Sequence, residues 1–212
     1  GYICAGDEIT LDAGPGPYTY LWSTGETSQT IITDIPGIYT VTISNGVCSK
    51  VFTTVVVEAL VPEVVDVVFE NNILTVTASN PSNGLLEYSL DNGFTWQDSN
   101  VFTNVMQNID VIIRVRVKRT TCEGMLEFFT FAMINVITPN GDGTNDKIDL
   151  VGISKYPKFQ ASIFDRYGKQ VYKMDRTNHV WDGRFQSRNL PTGTYWFQLQ
   201  YEHPASKKLI LN

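Results

Sequence analysis

The chain has 212 residues, with 16 basic and 22 acidic side chains and a formal net charge of -6. Hydrophobic residues make up 42% of it and charged residues 18%, a balance typical of a folded protein rather than a disordered one. The acidic balance argues against nucleic acid as the main partner, because phosphate binding needs a basic face, and against a polybasic membrane anchor. The sequence also lacks an apolar run of the roughly 20 residues that a membrane-spanning helix needs.

Strand signals dominate the chain. Apolar and polar residues alternate at 39–44, 111–118 and 195–202, which is the period-two pattern of half-buried strands. Clusters of glycine, asparagine and aspartate between such runs are typical of turns, as at 91–93 and 140–143. The sequence therefore predicts an all-β protein built from three tandem small β-sandwiches of the immunoglobulin-like kind.

The first predicted domain covers residues 1–60 and carries Cys4 and Cys48 near its first and last strands. Those ends of an immunoglobulin-like sandwich can lie side by side, so we predict a Cys4–Cys48 disulfide, with two buried free thiols as the alternative. In the chain-entropy model such a bond would stabilise the fold by about 4 kcal/mol. The cysteines favour an oxidising, extracytoplasmic compartment.

The second predicted domain covers residues 61–133 and begins at a short hinge around Pro62, which cannot donate a hydrogen bond within a central strand. Its Cys122 is left over from the predicted pair, and it either bonds to a cysteine outside this chain or stays free. Domains of about 60 to 80 residues have marginal cores. We therefore expect each domain to depend on neighbours, disulfides or ions.

The third predicted domain covers residues 134–212, and a dense polar cluster lies near its start. Side-chain oxygens recur there at alternate positions, namely Asn140, Asp142, Thr144 and Asp146. Alternating oxygens in a glycine-rich loop can wrap a hard cation such as Ca²⁺, although the closing glutamate of an EF-hand is missing. The alternative, which the sequence favours, is a turn whose side-chain oxygens accept backbone amides while Gly141 and Gly143 adopt positive φ. No other cofactor is predicted.

Catalytic motifs are missing from the sequence. Its two histidines, His179 and His203, lie beside predicted turns, and we expect both to be solvated surface residues. No Gly-x-Ser-x-Gly elbow or phosphate-binding loop accompanies them, and the carboxylates are scattered. The sequence therefore predicts a protein that is not an enzyme.

Five motifs of the third predicted domain follow one another in the order of a known family. They are ITPNGDGTND at 137–146, YP at 156–157, IFDRYGKQVY at 163–172, WDG at 181–183 and LPTGTYW at 190–196. Together they resemble the gliding-motility-associated C-terminal domain, which is the type B sorting domain of the type IX secretion system of Bacteroidota. The resemblance covers residues 134–212.

The resemblance implies a β-sandwich at the C-terminus of a large secreted or surface protein. It implies export by the type IX translocon after Sec-dependent passage of the inner membrane, and recognition by an outer-membrane β-barrel shuttle protein. The first predicted domain is similar to the PKD and immunoglobulin-like modules of such proteins, and the second is similar to the repeats of gliding adhesins. We therefore expect the protein outside the cell or on the outer-membrane surface.

The polar loops of the third predicted domain are the predicted contacts with that machinery, because recognition residues tend to lie on loops that a rigid scaffold holds. The candidate side chains are Asn140, Asp142, Asp146, Arg166, Lys169 and Asp182. Each could instead serve only to form its turn. The competing prediction for the whole chain is an adhesin or carbohydrate-binding module, in which the first two domains bind a ligand directly.

The last residues of the sequence depart from the family pattern. Family members usually finish with a further short strand that ends in a basic residue, whereas this sequence ends with KLILN at 208–212. We expect either that a last strand has been removed or that this member lacks one. An unpaired strand would leave an open sheet edge, to which a partner could add a strand.

Overall fold

A computed structural model describes residues 1–211, which form twenty β-strands and one short helix, α1 (Val151–Ser154). The all-β prediction is confirmed. Each sheet is made of strands from one of three consecutive stretches of the chain, and each stretch encloses its own apolar core. We call these stretches the first, second and third domain, and their predicted boundaries stay a prediction. Among the described residues, no helix is long and apolar enough to cross a membrane.

Two facing sheets form the first domain. Its strands are β1 (Tyr2–Ile3), β2 (Ile9–Asp12), β3 (Thr19–Trp22), β4 (Thr30–Thr33), β5 (Gly37–Ser44) and β6 (Ser49–Glu58). The sheet β1-β6-β5-β3 packs its inner face on the antiparallel pair β2-β4. Trp22 and Val56 are buried between the sheets together with Tyr39 and Val41, as the alternation in β5 predicts.

The outer face of the same four-stranded sheet carries exposed apolar residues. Ile38 of β5 lies opposite Val55 of β6, and Val51 of β6 lies opposite Thr42. Ile38 is 71% exposed, Val51 is 59% exposed and Val55 is 48% exposed. The pair Thr40 and Thr53 lies between Val55 and Val51 on this face, so the exposed apolar residues are interspersed with threonines.

Two three-stranded sheets form the second domain. Its strands are β7 (Val64–Glu70), β8 (Ile73–Ala78), β9 (Leu86–Ser89), β10 (Val101–Phe102), β11 (Asp110–Val117) and β12 (Glu123–Phe129). They pair in the orders β10-β8-β7 and β12-β11-β9. Leu74, Val76 and Ile113 are completely buried between the two sheets.

The outer face of β11 is charged, in contrast to that of the first domain. Arg116 Nε lies 2.7 Å from Glu87 Oε1, and Arg114 Nη1 lies 2.6 Å from Glu123 Oε2. The guanidinium of Arg116 also stacks 3.8 Å from the centre of the Trp96 ring. Each of these arginines has a carboxylate partner in the same sheet, so the positive charges of this face are neutralised within the domain.

A four-stranded sheet and two short strand pairs form the third domain. Its strands are β13 (Ile148–Asp149), β14 (Gln160–Phe164), β15 (Gln170–Met174), β16 (Val180–Trp181), β17 (Arg184–Phe185), β18 (Arg188–Asn189), β19 (Trp196–Glu202) and β20 (Leu209–Leu211). The main sheet has the order β15-β14-β19-β20, and the pairs are β13-β16 and β17-β18. Ile153, Ile163, Met174 and Leu199 are buried in its core. The last described residues therefore form a paired strand, β20, at the sheet edge.

The predicted Cys4–Cys48 disulfide is wrong. Cys4 is bonded to Cys122 of the second domain, and Cys48 is a free, exposed thiol. The reason lies in the two ends of β6. Cys4 follows β1, which pairs with the last residues of β6, whereas Cys48 directly precedes the first residue of that strand. A strand of ten residues separates its ends by about 30 Å, so Cys4 and Cys48 lie at opposite ends of the domain.

The observed disulfide closes the junction between the first and second domains. Ala59 and Val117 are buried beside the bonded cysteines, and Leu86 packs against the same cluster. A covalent bond together with apolar packing thus joins the first domain to the second, and the dependence of each small domain on its neighbour stays a prediction.

The expectation that both histidines are solvated is also wrong. His203 is only 5% exposed, because it begins the β19–β20 turn, which the second domain covers. The side chain of His179 is 25% exposed, and its Nδ1 lies 3.4 Å from Asp149 Oδ1. Both residues lie beside turns, but packing from other parts of the chain decides their exposure.

Candidate functional site: the polar loops of the third domain

Loop 138–146 is a closed turn built from its own side chains. The two carboxylate oxygens of Asp146 accept hydrogen bonds from the amides of Gly141 and Gly143, each at 2.7 Å. These two glycines have φ angles of 82° and 85°, in the left-handed region that the sequence predicts for them. One carboxylate therefore gathers two amides that the left-handed backbone turns toward it.

Asn140 and Asp142 brace the same loop. Asn140 Oδ1 accepts a hydrogen bond from the Asp142 amide at 3.1 Å, and Asp142 Oδ1 accepts one from the Thr144 amide at 2.8 Å. Asn140 Nδ2 also donates to Asp142 Oδ2 at 2.8 Å. Two hydrogen bonds hold the pKa of Asp142 below its usual range: the larger effect comes from the Asn140 side chain and the smaller from the Thr144 amide. These oxygens are engaged as the turn interpretation predicts.

Calcium binding at this loop stays a prediction. Across residues 1–211, no group of three or more histidine, cysteine, aspartate or glutamate side chains is arranged to hold a metal ion. A cation would have to compete with backbone amides for the carboxylate oxygens of Asp142 and Asp146. The geometry therefore favours a capped turn over an open cation cage.

The turn that contains Asp182 lies against this loop. A Cβ atom at Gly183 would come 3.0 Å from Pro139 Cγ, so the two turns touch. Asp182 Oδ1 accepts a hydrogen bond from the Arg184 amide at 3.2 Å, and Trp181 Nε1 donates to the Arg184 carbonyl at 3.0 Å. The buried indole of Trp181 thus holds the turn from the core side, while the Asp182 side chain stays exposed.

The β14–β15 hairpin carries the other two predicted recognition residues. Asp165 Oδ1 accepts hydrogen bonds from two amides of the turn, at 2.8 Å and 3.0 Å, and so fixes the hairpin. Arg166 and Lys169 are exposed on it. Lys169 Nζ lies 5.3 Å from the centre of the Phe185 ring in β17. Since β17 follows the Asp182 turn, the structure brings Lys169 toward that turn.

Sequence patterns do not reveal the apolar cleft that opens beside these loops. The cleft has a volume of about 820 Å³ and lies between segments 133–140 and 189–197. The buried residues Ile148, Ile163 and Trp181 line it. The one sequence feature that could have indicated the cleft is the apolar run before loop 138–146. An apolar run of that length is equally typical of a buried strand.

The third domain matches a known family. Residues 131–210 match the model of the CHU_C Type IX secretion signal domain, a range that contains all six predicted recognition residues. The resemblance of the ordered motifs to a type IX sorting domain is thus confirmed for this C-terminal part of the chain. Such a domain implies interaction with the type IX machinery and export to the cell surface or the extracellular space. No curated protein matches the chain.

Two of the solved structures that are similar to this chain consist of immunoglobulin domains. The chain is 9% identical to the N-terminal four Ig domains of Dscam1 isoform 6.44, with a TM-score of 0.26, over 62% of this chain and 42% of that one. It is 10% identical to Sidekick-1 immunoglobulin domains 1–5, with a TM-score of 0.26, over 100% of this chain and 55% of that one. The chain thus spans about half the length of these structures.

Proposed function

We propose that the third domain addresses this chain to the type IX translocon, as a folded surface that an outer-membrane β-barrel shuttle protein recognises. Export follows Sec-dependent passage of the inner membrane and ends outside the cell or on the outer-membrane surface. The first two domains are then passenger, in a surface protein of the gliding-adhesin kind. The observation that carries this proposal is the family match over residues 131–210.

The rigidity of the polar loops supports recognition by a folded surface. Asp146 holds loop 138–146, and Asp165 holds the β14–β15 hairpin, each by accepting two backbone amides. Loops that are already fixed lose little conformational entropy when a partner binds. Recognition by a partner protein therefore suits this site better than a catalytic role, which would require reacting groups.

The hydrogen bonds divide the predicted recognition residues into two groups. Asn140, Asp142 and Asp146 accept amides of their own loop and so shape it. Asp182 likewise accepts an amide of its own turn. Arg166 and Lys169 instead present exposed cations whose charged groups contact aromatic rings. We assign the partner contact to these two cations, because exposed charges steer association and set specificity.

An export assay of the full chain tests this proposal. The chain is fused behind a periplasm-directed fluorescent reporter, in a type IX-competent bacterium and in a strain that lacks the translocon. We expect the reporter outside the cell in the competent strain alone. Reporter that stays in the periplasm of both strains would overturn the proposed function.

A charge-matched pair of variants tests the assigned contact. We expect Arg166→Ala/Lys169→Ala to reduce export several-fold without changing thermal unfolding. The control, Lys173→Ala/Arg176→Ala, removes two other exposed cations of the same domain and should be exported like the wild type. Equal export of the two double variants would move the contact away from the hairpin.

The exposed apolar residues on the outer face of the first domain favour a second candidate function, an adhesin whose first two domains bind a ligand directly. The exposed residues Ile38, Val51 and Val55 on this face would form the binding surface. Binding of the full chain to a glycan array, lost in Ile38→Thr/Val55→Thr, would support this candidate. Equal array signals for the two proteins would count against it.

A further inference from the structure

The turn between β19 and β20 is attached to the second domain through one buried imidazole. His203 Nε2 lies 2.9 Å from the carbonyl oxygen of Val67 in β7. Its Nδ1 lies 3.3 Å from the amide nitrogen of Ala205 and 3.2 Å from that of Ser206. Since a carbonyl only accepts and an amide only donates, Nε2 carries the proton and Nδ1 accepts. The same ring therefore closes its own turn and bonds the neighbouring domain.

Apolar packing surrounds this attachment. The His203 ring lies 5.8 Å, centre to centre, from the ring of Phe128 in β12. Ala205 packs against the core of the second domain, although it belongs to the third-domain turn. The turn thus completes a core that is formed mainly by residues between Val64 and Phe128.

A second attachment lies close by, around α1, where the ring of Tyr156 stacks 5.8 Å from that of Tyr201 in β19. The hydroxyl of Tyr156 accepts a hydrogen bond from the Phe129 amide at 2.7 Å. The Phe129 ring covers Gly152 so closely that a Cβ there would come 2.1 Å from it. The two attachments, one at α1 and one at the β19–β20 turn, use the consecutive residues Phe129 and Phe128 of β12 and together fix this edge of the third domain on the second.

The strand that follows the turn is short and exposed. β20 has three residues, and it pairs through Gln200, Tyr201 and Glu202 with the end of β19. Leu209 is 45% exposed and Leu211 is 65% exposed, so burial contributes little to holding this strand. The attached turn is therefore a main constraint on the position of β20.

We propose that the second domain is part of the sorting signal, because it holds the β19–β20 turn through His203 and Ala205 and so presents the third domain in one fixed orientation. This inference rests on the proposed export function. It makes Val67 and Phe128, which lie outside the family-matched range, positioning residues for export. The export machinery would then recognise the second and third domains together as one unit.

Full-chain variants with two readouts test the inference. His203→Ala leaves the Val67 carbonyl and two amides without their partner, and we expect it to raise the opening constant of β7 and β20 amides in hydrogen exchange about 5- to 100-fold. Ala205→Asp, which puts a carboxylate on the second-domain core, should have the same effect without altering the imidazole. We expect both variants to be exported several-fold less than the wild type, while the amides of β14 stay protected.

The control is His179→Ala, which truncates the other histidine of the same domain, one that contacts Asp149 and not the β19–β20 turn, and it should leave export and β20 exchange unchanged. Normal export of His203→Ala and Ala205→Asp, despite faster exchange of β7 and β20, would overturn the inference and leave the proposed function standing. Unaltered β7 and β20 exchange in both variants would overturn it as well. Failure of the wild type to leave the periplasm would instead overturn the proposed function, and this inference with it.

Discussion

The two junctions of this chain are closed by different chemistry. Between the first and second domains the Cys4–Cys122 bond is covalent and lies beside the buried Val117. Between the second and third domains the attachment is noncovalent, through His203 and Phe129. Reduction would break the bond at the first junction, whereas protonation of the imidazole would weaken the second. The comparison teaches that the two junctions should respond to different changes in conditions.

Removing the disulfide is expected to have the largest effect. The bond joins cysteines separated by 118 positions, and the chain-entropy model predicts that Cys4→Ser/Cys122→Ser lowers the free energy of unfolding by up to about 5 kcal/mol. Urea unfolding measures this loss. The control Cys48→Ser changes an exposed free thiol and should stay within about 0.5 kcal/mol of the wild type. A comparable loss in the control would refute the assigned pairing.

Filling the glycine contact at each junction should have the next largest effect. A Cβ at Gly124 would lie 1.9 Å from the backbone oxygen of Pro62, whereas one at Gly152 would meet the ring of Phe129. A side-chain ring can move aside more easily than backbone can. We therefore expect Gly124→Ala to cost about 3 kcal/mol and Gly152→Ala about 1 kcal/mol, as thermal unfolding would show.

Gly37→Ala is the control for both glycine variants. Its Cβ would meet one atom, Cε2 of Tyr39, at the ordinary contact distance of 3.8 Å. We expect its melting temperature to remain close to that of the wild type. If Gly37→Ala and Gly124→Ala shifted the melting temperature equally, close packing at the junction would not be the cause.

Acid should weaken the second junction and leave the first unchanged. Burial lowers the pKa of His203 below its usual 6.5, against opposing effects of the Val67 carbonyl and Asp66, and Lys207 and Lys208 act with burial. The unfolded chain therefore binds this proton more readily than the folded protein does. The stability that His203 contributes is present above pH 6.5 and is lost as the pH falls from there through the lower folded-state pKa.

Urea midpoints and β20 hydrogen exchange between about pH 7.5 and pH 5 would measure this effect, with each rate corrected for intrinsic exchange. We expect a smaller decline in His203→Gln than in the wild type. Burial raises the pKa of Tyr156 to about 12, so its hydroxyl stays protonated throughout this range and does not contribute. Equal declines in the two proteins would trace the acid response to other groups.

The smallest effect is expected at the rim of the second junction. Lys155 and Asp110 form an ion pair there, with side chains 39% and 63% exposed. Exposed pairs contribute little, so Lys155→Ala should lower the free energy of unfolding by about 0.5 kcal/mol at low salt and less at high salt. Thermal unfolding at two ionic strengths would show this. A loss that salt does not reduce would mean that packing of the lysine stem, rather than charge, is involved.

Local patterns predicted much of the fold and part of the candidate site. Alternation placed Tyr39 and Val41 in a core, because successive side chains of a strand point to opposite faces. Gly141 and Gly143 adopt positive φ as predicted, because such positions disfavour any residue with a Cβ. The family of the third domain also followed from its ordered motifs, since each specifies a turn or a strand end locally.

Contacts between domains could not be read in the same way. The partner of Cys4 depends on which end of β6 meets the second domain, and the burial of His203 depends on a strand more than a hundred residues earlier in the sequence. The apolar cleft beside the polar loops likewise arises from segments that are distant in sequence. None of these features leaves a periodic or local signal.

By itself, the sequence determined the β-rich class, the turns with their glycines and the sorting-domain family, because these follow from backbone preferences within a few residues. The tertiary structure alone decided the Cys4–Cys122 pairing, the neutral buried His203 and the union of the second and third domains. Those features depend on which surfaces of the chain pack against each other and are buried from water. That outcome is set by packing over long sequence separations, where local propensity carries no information.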